Sequence, residues 1–149
     1  MSAFVQILTG TLGTLGFTIL FHIRGRKLLF SALGGMLSWA VFLAFEPLYA
    51  SEAVRYLISA ATITLYAEIL ARVEKTPTTT FLVPSFIPLI PGGAVYYTMN
   101  YALNQQWDIF AKQAFYTLQL ALSLAVGIIG VTTLSRMVHA AIVYRKQRA

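Results

Sequence analysis

TPTTTFLVPSFIPLIPGGAVYYTMNYALN, residues Thr76–Asn104, is the segment whose prolines and glycines say most about the architecture of this chain. It begins as a helix would, with a hydroxyl residue at the cap and a proline in the first turn. Three prolines then fall within eight residues, and a glycine pair follows: Pro84, Pro88, Pro91, Gly92 and Gly93. Each proline lacks an amide donor and crowds the carbonyl four residues earlier. We therefore predict two half-helices joined by unwound backbone between about Pro84 and Gly93.

The predicted break lies deep in an apolar segment. From Thr76 to Pro88 a helix rises about 18 Å, and half of a hydrocarbon core about 30 Å thick is about 15 Å. The break would then lie near the midplane of a membrane, where irregular backbone is tolerated only inside protein or beside a water-filled cavity. The amides of Gly93, Ala94 and Val95 would lack helical partners at the positive end of the second half-helix, which suits a carboxylate.

Polar side chains follow the break along one helix face, because Tyr97, Asn100, Tyr101 and Asn104 are spaced i, i+3, i+4 and i+7. An aromatic belt at the membrane surface explains Tyr101 and Asn104 best. For Tyr97 and Asn100 a belt and a binding role are equally good explanations. The candidate substrate-binding residues are Pro88, Pro91, Gly92, Gly93, Ala94, Tyr97 and Asn100.

Composition extends the membrane interpretation to the whole chain. The 149 residues are 58% hydrophobic and 11% charged, with a mean hydropathy of +0.71. Soluble domains carry about 25% charged residues, so a disordered tail, a coiled coil and an ordinary cytosolic domain are excluded. Apolar segments long enough to cross a bilayer cover about residues 3–23, 28–45, 53–71, 79–103 and 114–134. The prediction is an all-α, polytopic bundle of five transmembrane helices that forms one integral membrane domain, 1–149.

The distribution of charge predicts the orientation. Basic residues near span ends favour the cytoplasmic side. If the first linker is inside, nine of the eleven basic residues share that side: Arg24, Arg26, Lys27, Arg72, Lys75, Arg136, Arg145, Lys146 and Arg148. Only Arg55 and Lys112 lie on the other side. We therefore predict a cell-membrane protein with its N-terminus outside and its C-terminus in the cytoplasm.

Small residues predict how these helices pack, because they allow helix backbones to approach closely. Three segments carry them on one face: Gly10, Gly13 and Gly16 in the first, Ser31, Gly35 and Ser38 in the second, and Ser123, Gly127 and Gly130 in the fifth. Tight packing is the simpler interpretation. A sliding surface for conformational change is the alternative.

Glu68 is the only acid inside any predicted span, and Arg72 follows one turn later. A snorkelling surface pair is one interpretation. A proton-coupling carboxylate is the other, because acids within the membrane often mark ion or substrate routes. If a proton is coupled to transport, Glu68 and Arg72 are the candidate coupling residues.

Other classes of function find little support in the residues. The chain has no cysteine and two histidines, and we find no paired buried carboxylates and no Ser-His-Asp set. We therefore predict that the protein is not an enzyme and that it binds no metal and no cofactor. Nucleic-acid binding is not supported either, since the basic residues follow topology instead of forming one patch.

Two motifs carry a resemblance to a known family. PLIPGG at Pro88–Gly93 and AEILAR at Ala67–Arg72 resemble the threonine/serine exporter family, and more closely its small membrane subunit of the YjjB type. The resemblance implies a secondary transporter that exports small amino acids or related small carboxylates. It also implies one half of an inverted-repeat transporter, whose partner is a larger membrane subunit or a second copy of this chain. A non-transporting assembly or channel subunit is the alternative function.

Overall fold

The structure is a computed structural model that describes residues 2–148, with side chains described over 2–141. Six α-helices and one 3-10 helix follow one another: α1 Ala3–Leu20, α2 Arg26–Ala44, α3 Glu52–Val73, α4 Thr79–Phe86, the 3-10 helix Ile87–Leu89, α5 Gly92–Leu103 and α6 Trp107–Arg148. Among these residues there is no β-strand. The all-α prediction is confirmed.

Four helices of the described chain are long and apolar enough to cross a membrane: α1, α2, α3 and the Trp107–Ala141 part of α6. The segments Thr79–Leu89 and Gly92–Leu103 pass the same test together, but they are bent by 56° at the break. The described chain therefore has four candidate spans, or five if the bent pair is one span. Each predicted segment corresponds to a helix or to this pair.

The last helix is much longer than predicted. It runs without interruption for 42 residues, which is about 63 Å at roughly 1.5 Å per residue. Asp108 and Lys112, expected in a linker, lie in its first two turns, and the predicted tail continues the same helix. The reason is local, since no proline or glycine follows Gly130. The helix is thus about twice as long as the hydrocarbon core of a bilayer, which is about 30 Å thick.

The helix α3 is the centre of the bundle and packs against α2, α4 and α6. A large core cluster joins its side chains to those of α2, the 3-10 helix and α6: Phe42, Tyr56, Ala60, Ile63, Leu89, Leu120 and Leu124. A smaller cluster of Ala67, Ala71 and Phe81 holds α4 against the far end of α3. By contrast, α5 packs mainly on α6 and has no buried residue.

Small residues make the closest helix contacts. A Cβ added to Gly35 would overlap the Thr14 side chain, and one added to Gly127 would lie 2.8 Å from the Ala60 Cβ. The tight-packing prediction is confirmed at these two positions. It is wrong for Gly13, Gly16 and Gly130, where an added Cβ meets nothing within 4 Å. Gly34 is an additional close contact outside the prediction, because a Cβ there would overlap the Ser85 side chain.

Basic residues gather at one end of the bundle. Short connections make consecutive helices antiparallel neighbours, so the α1–α2 and α3–α4 connections lie at the same end. These connections carry Arg24 and Lys75. The α6 helix reaches that end too, because Arg72 Nη2 donates a hydrogen bond to Ser135 Oγ. The acids Glu46 and Glu52 lie at the opposite end, around the α2–α3 connection.

Candidate functional site

The break between α4 and α5 is shorter than predicted. Helix α4 runs through Pro84, and the 3-10 helix continues to Leu89, which leaves Ile90 and Pro91 as the only non-helical residues before α5. Pro84 is tolerated because the carbonyl that it cannot serve, that of Thr80, accepts a hydrogen bond from Ser31 Oγ at 3.4 Å. The expected unwound stretch from Pro84 to Gly93 is thereby corrected to Ile90 and Pro91.

The 3-10 geometry follows from the proline spacing. In an α-helix the carbonyls of Pro84 and Ile87 would need the amides of residues 88 and 91, which prolines do not have. Instead the Ile87 amide donates to the Pro84 carbonyl, and the Ile90 amide donates to the Ile87 carbonyl at 3.2 Å. Ile90 is extended, with φ −65° and ψ 120°, as a residue before proline prefers. The chain therefore changes direction between Ile90 and Gly92.

Two backbone amides at the start of α5, those of Gly93 and Ala94, have no carbonyl partner within the helix. The Gly92 amide donates to the Ile90 carbonyl at 2.7 Å, and the Val95 amide donates to the Pro91 carbonyl at 3.1 Å. Val95 is therefore not one of the free amides, contrary to prediction. Gly93 and Ala94 are the first-turn residues whose amides have no carbonyl within the helix to bind. They lie at the positive end of a 12-residue helix.

Gly93 and Ala94 line a cavity of about 370 Å³, which we call the break cavity. Its volume is at the low end of small-molecule sites, which are about 300–1,000 Å³. Its walls come from α2, α3, α6 and the break: Trp39, Glu52, Tyr56, Pro88, Ile90, Pro91, Gly92, Gly93, Ala94, Tyr97, Gln113, Tyr116 and Leu120.

Six of the seven candidate substrate-binding residues line the break cavity, and Asn100 does not. Asn100 is instead joined to Asn104, whose Nδ2 donates to the Asn100 carbonyl at 2.9 Å and to its Oδ1 at 3.2 Å. These two residues lie together near the C-terminal end of α5. Tyr97 is 53% exposed, so its ring leaves the cavity open on that side.

Glu52 is the acid of the break cavity. The Tyr116 hydroxyl of α6 donates a hydrogen bond to Glu52 Oε2, and Arg55 Nη2 lies 3.6 Å from Glu52 Oε1. Arg55 is buried, with Nη1 3.8 Å from Glu46 Oε1 and its guanidinium 4.8 Å from the centre of the Phe42 ring. The lining of the cavity thus includes the acid Glu52 together with Gly93 and Ala94, the two residues with free first-turn amides.

Comparison with protein families shows which family this chain belongs to. The model of the family described as "Threonine/Serine exporter, ThrE" matches residues 6–134. The chain belongs to the threonine/serine exporter family. No curated protein and no solved structure matches it significantly. Membership makes the chain a membrane transport protein of the amino-acid export class, and it favours transport over catalysis.

The predicted coupling residues, Glu68 and Arg72, lie away from the break cavity. Glu68 is 16 residues after Glu52 on α3, which is about 24 Å along the helix axis. Arg72 Nη2 is 3.6 Å from Glu68 Oε2, and Ser135 of α6 donates to the same oxygen at 3.2 Å. The Glu68 side chain is 15% exposed and that of Arg72 is 52% exposed. We call these three residues the Glu68 cluster.

The sequence patterns do not mark four polar residues that line the break cavity: Glu52, Tyr56, Gln113 and Tyr116. They place Glu52 in a linker, although Glu52 is the first residue of α3. One sequence signal could have found it, since Arg55 follows at i+3 and such a pair is typical of a helix start. Tyr116 carries no such signal. Over the described residues, no group of three or more His, Cys, Asp or Glu could hold a metal ion.

Proposed function

We propose that this chain is one half of a secondary exporter of small amino acids of the threonine/serine class, or of related small carboxylates. The substrate carboxylate binds the amides of Gly93 and Ala94 at the start of α5. The observation that carries this proposal is the break cavity, which joins those amides to a ligand-sized space. Family membership supports the transport class.

The backbone supplies the anion site without a buried cation. Free amides at a helix N-terminus bind anions through their hydrogen bonds and the helix dipole. An arginine within the membrane would be costly to bury, and among the lining residues there is no arginine or lysine. Glycine at positions 92 and 93 leaves room for a carboxylate, since a Cβ on either would meet no atom within 4 Å.

A second half completes the transporter in this proposal. None of the α5 residues is buried, and large side chains such as Tyr96 and Met99 are 66% and 58% exposed. In inverted-repeat transporters the site lies between two repeats, and this chain supplies one broken helix. The partner is a larger membrane subunit of the same family or a second copy of this chain.

Proton coupling is assigned to Glu68 in this proposal. Its carboxylate is mostly buried and has both a cation and a hydroxyl beside it. A proton exchanged there would change its pairing with Arg72 and with Ser135 of α6. Because α3 and α6 pack along their lengths, such a change would reach the walls of the break cavity, which the same two helices form.

Orientation completes the proposal, with the N-terminus outside and the C-terminus in the cytoplasm of a multi-pass cell-membrane protein. It is supported by the basic residues around the α1–α2 and α3–α4 connections, at the end that Ser135 of α6 also reaches. Basic connections favour the cytoplasmic side. Counting α4 and α5 as one span gives five crossings, which places the termini on opposite sides.

Valine at Gly93 tests the anion site. The side chain has free space, so the protein should insert normally, but its methyl groups would keep a carboxylate from the amides. Losing a charge-assisted hydrogen bond costs about 1.5–3 kcal/mol, so we expect efflux of serine to fall at least about tenfold. Pro91→Ala returns an amide donor to the break, and we expect a smaller loss. Efflux is measured with the candidate partner subunit present.

Gly13→Val is the matched control, because an added Cβ on Gly13 in α1 also meets nothing within 4 Å. It should transport as the parent does. Normal efflux by Gly93→Val would refute the anion site. Full efflux by a demonstrated monomer would refute the need for a second half. A parent that inserts and assembles but moves no small amino acid or carboxylate would favour a non-transporting assembly or channel subunit.

A further inference from the structure

We propose that Glu52 binds the ammonium group of the substrate, so that the break cavity selects amino acids over small carboxylates that lack an ammonium group. This inference rests on the proposed transport function and narrows its substrate class. The observation that carries it is an ionisable acid and a pair of helix-end amides on the walls of one small cavity. A small amino acid is a zwitterion, and it needs an acceptor for its ammonium as well as donors for its carboxylate.

The Glu52 carboxylate has capacity for such a ligand. An ionised carboxylate offers about four acceptor positions. Tyr116 occupies one of them at Oε2. Arg55 Nη2 is 3.6 Å from Oε1, which is longer than a hydrogen bond of about 2.7–3.2 Å. The side chain is 43% exposed and lines the cavity, so a ligand ammonium can reach it.

Arg55 is held away from the substrate by its own contacts. The guanidinium lies next to Glu46, Glu52 and the Phe42 ring. Arg55 is not one of the residues that line the cavity. The substrate carboxylate therefore meets the amides of Gly93 and Ala94, while its ammonium meets Glu52.

The same arrangement rejects a second negative charge. A dicarboxylate that placed one group at the helix end would bring its other group towards Glu52. Like charges close together repel each other. Tyr116 and Tyr56 border the same wall, and neither supplies a positive charge. Of the two substrate classes that the proposed function leaves open, the cavity fits the amino acids.

Glu52→Gln is the direct test, because glutamine keeps the shape and can still accept the Tyr116 hydrogen bond. Two probes are compared on the full chain with its partner half: L-serine, and 3-hydroxypropanoate, which is serine without its ammonium group. The measured quantity is the ratio of their half-saturating concentrations within each variant, which does not depend on how much protein inserts. The parent should prefer serine, and Glu52→Gln should reduce that preference at least about tenfold.

Glu46→Gln is the matched control. Glu46 also pairs with Arg55, at 3.8 Å, but its side chain is 64% exposed and it does not line the cavity. Its ratio should equal that of the parent. If Glu52→Gln does not insert, Glu52→Asp provides the same ratio with a carboxylate set back by one methylene, and we expect an intermediate loss.

Each result decides between the two proposals. An unchanged ratio in Glu52→Gln, or an equal loss for both probes, would overturn the role of Glu52 and leave the anion site standing. A parent that binds 3-hydroxypropanoate as well as serine would overturn it too. If Gly93→Val leaves the transport of both probes unchanged, the anion site is wrong. If the ratio of half-saturating concentrations still changes in Glu52→Gln, the ammonium site stands without the anion site.

Discussion

Two acids on helix α3 have nearly the same local chemistry and very different surroundings. Glu52 and Glu68 each have an arginine one turn later, and each accepts a hydrogen bond from a hydroxyl of α6. Glu52 also lines a cavity of about 370 Å³. A smaller hollow of about 190 Å³ near Glu68 is bordered by Arg72 and Ser135, and the rest of its lining is apolar.

The difference comes from the helix that packs opposite each acid. At Glu68 the bundle is continuous, because α4 packs along α3 through Phe81, Ala67 and Ala71. Near Glu52 the neighbouring segment is α5, which is bent by 56° away from the direction of α4. Helix α5 packs mainly on α6 and not on α3. A break in one helix thus creates space beside an acid of another helix. Open space, more than residue type, therefore distinguishes the candidate binding acid Glu52 from Glu68, which lies beside a packed cluster.

The largest effect, on the stability of the helix bundle, is expected from forcing α3 away from α6, the helix that supplies a hydroxyl partner to both acids. In Gly127→Val the new side chain would meet the Ala60 Cβ at 2.8 Å and the Leu57 carbonyl at 2.9 Å, which would force α3 and α6 apart. Overpacking of this kind costs about 1–3 kcal/mol, and we expect a lower midpoint of thermal unfolding in detergent. Gly130→Val is the control on the same helix. Equal midpoints for the two variants would contradict this account of α3–α6 packing.

An intermediate effect is expected at the Glu68 cluster. Glu68→Gln keeps the size of the side chain but cannot exchange a proton at physiological pH. We expect the pH dependence of efflux to flatten, while the preference for serine over 3-hydroxypropanoate stays that of the parent. Measuring efflux across pH together with that preference separates the two acids. A pH profile identical to the parent's would make Glu68 a structural residue.

The smallest effect is expected from removing the α6 hydroxyl at each acid. Tyr116→Phe leaves the Glu52 carboxylate without its donor, and Ser135→Ala does the same at Glu68. A single hydrogen bond contributes about 0.5–1.5 kcal/mol, so Tyr116→Phe should change the preference for serine a few-fold and Ser135→Ala should not. The comparison of the two acids would be wrong if Ser135→Ala had the larger effect on that preference.

The sequence predicts best the features that depend on the chemistry of a residue and of its near neighbours along the chain. Prolines at 88 and 91 deny amide donors to any helix, so the position of the break follows from the residues themselves. The small-residue pattern is right at Gly35 and Gly127 but wrong at Gly13, Gly16 and Gly130, because a close contact also needs a neighbouring helix at that point. The length of α6 is underestimated because charged residues suggest a helix end where nothing in the backbone interrupts the helix.

The rest depends on distant segments. The Thr80 carbonyl, which Pro84 cannot serve, finds its hydrogen-bond donor on another helix, at Ser31 of α2. Glu52 is a binding candidate only because α3, α5 and α6 leave space between them. Asn100, on the expected face of α5, is joined to Asn104 outside the cavity. Periodicity assigns a residue to a face, but it does not say whether that face meets a cavity.

A structure of the chain with its partner half and bound L-serine would show both proposed contacts at once. We expect the serine carboxylate within about 2.7–3.2 Å of the Gly93 and Ala94 amide nitrogens. We expect the ammonium at the same kind of distance from a Glu52 oxygen, with α4 and α5 still bent at Pro91. Serine bound beside Arg72 and Ser135, or one continuous helix through Pro84–Ala94, would contradict both proposals.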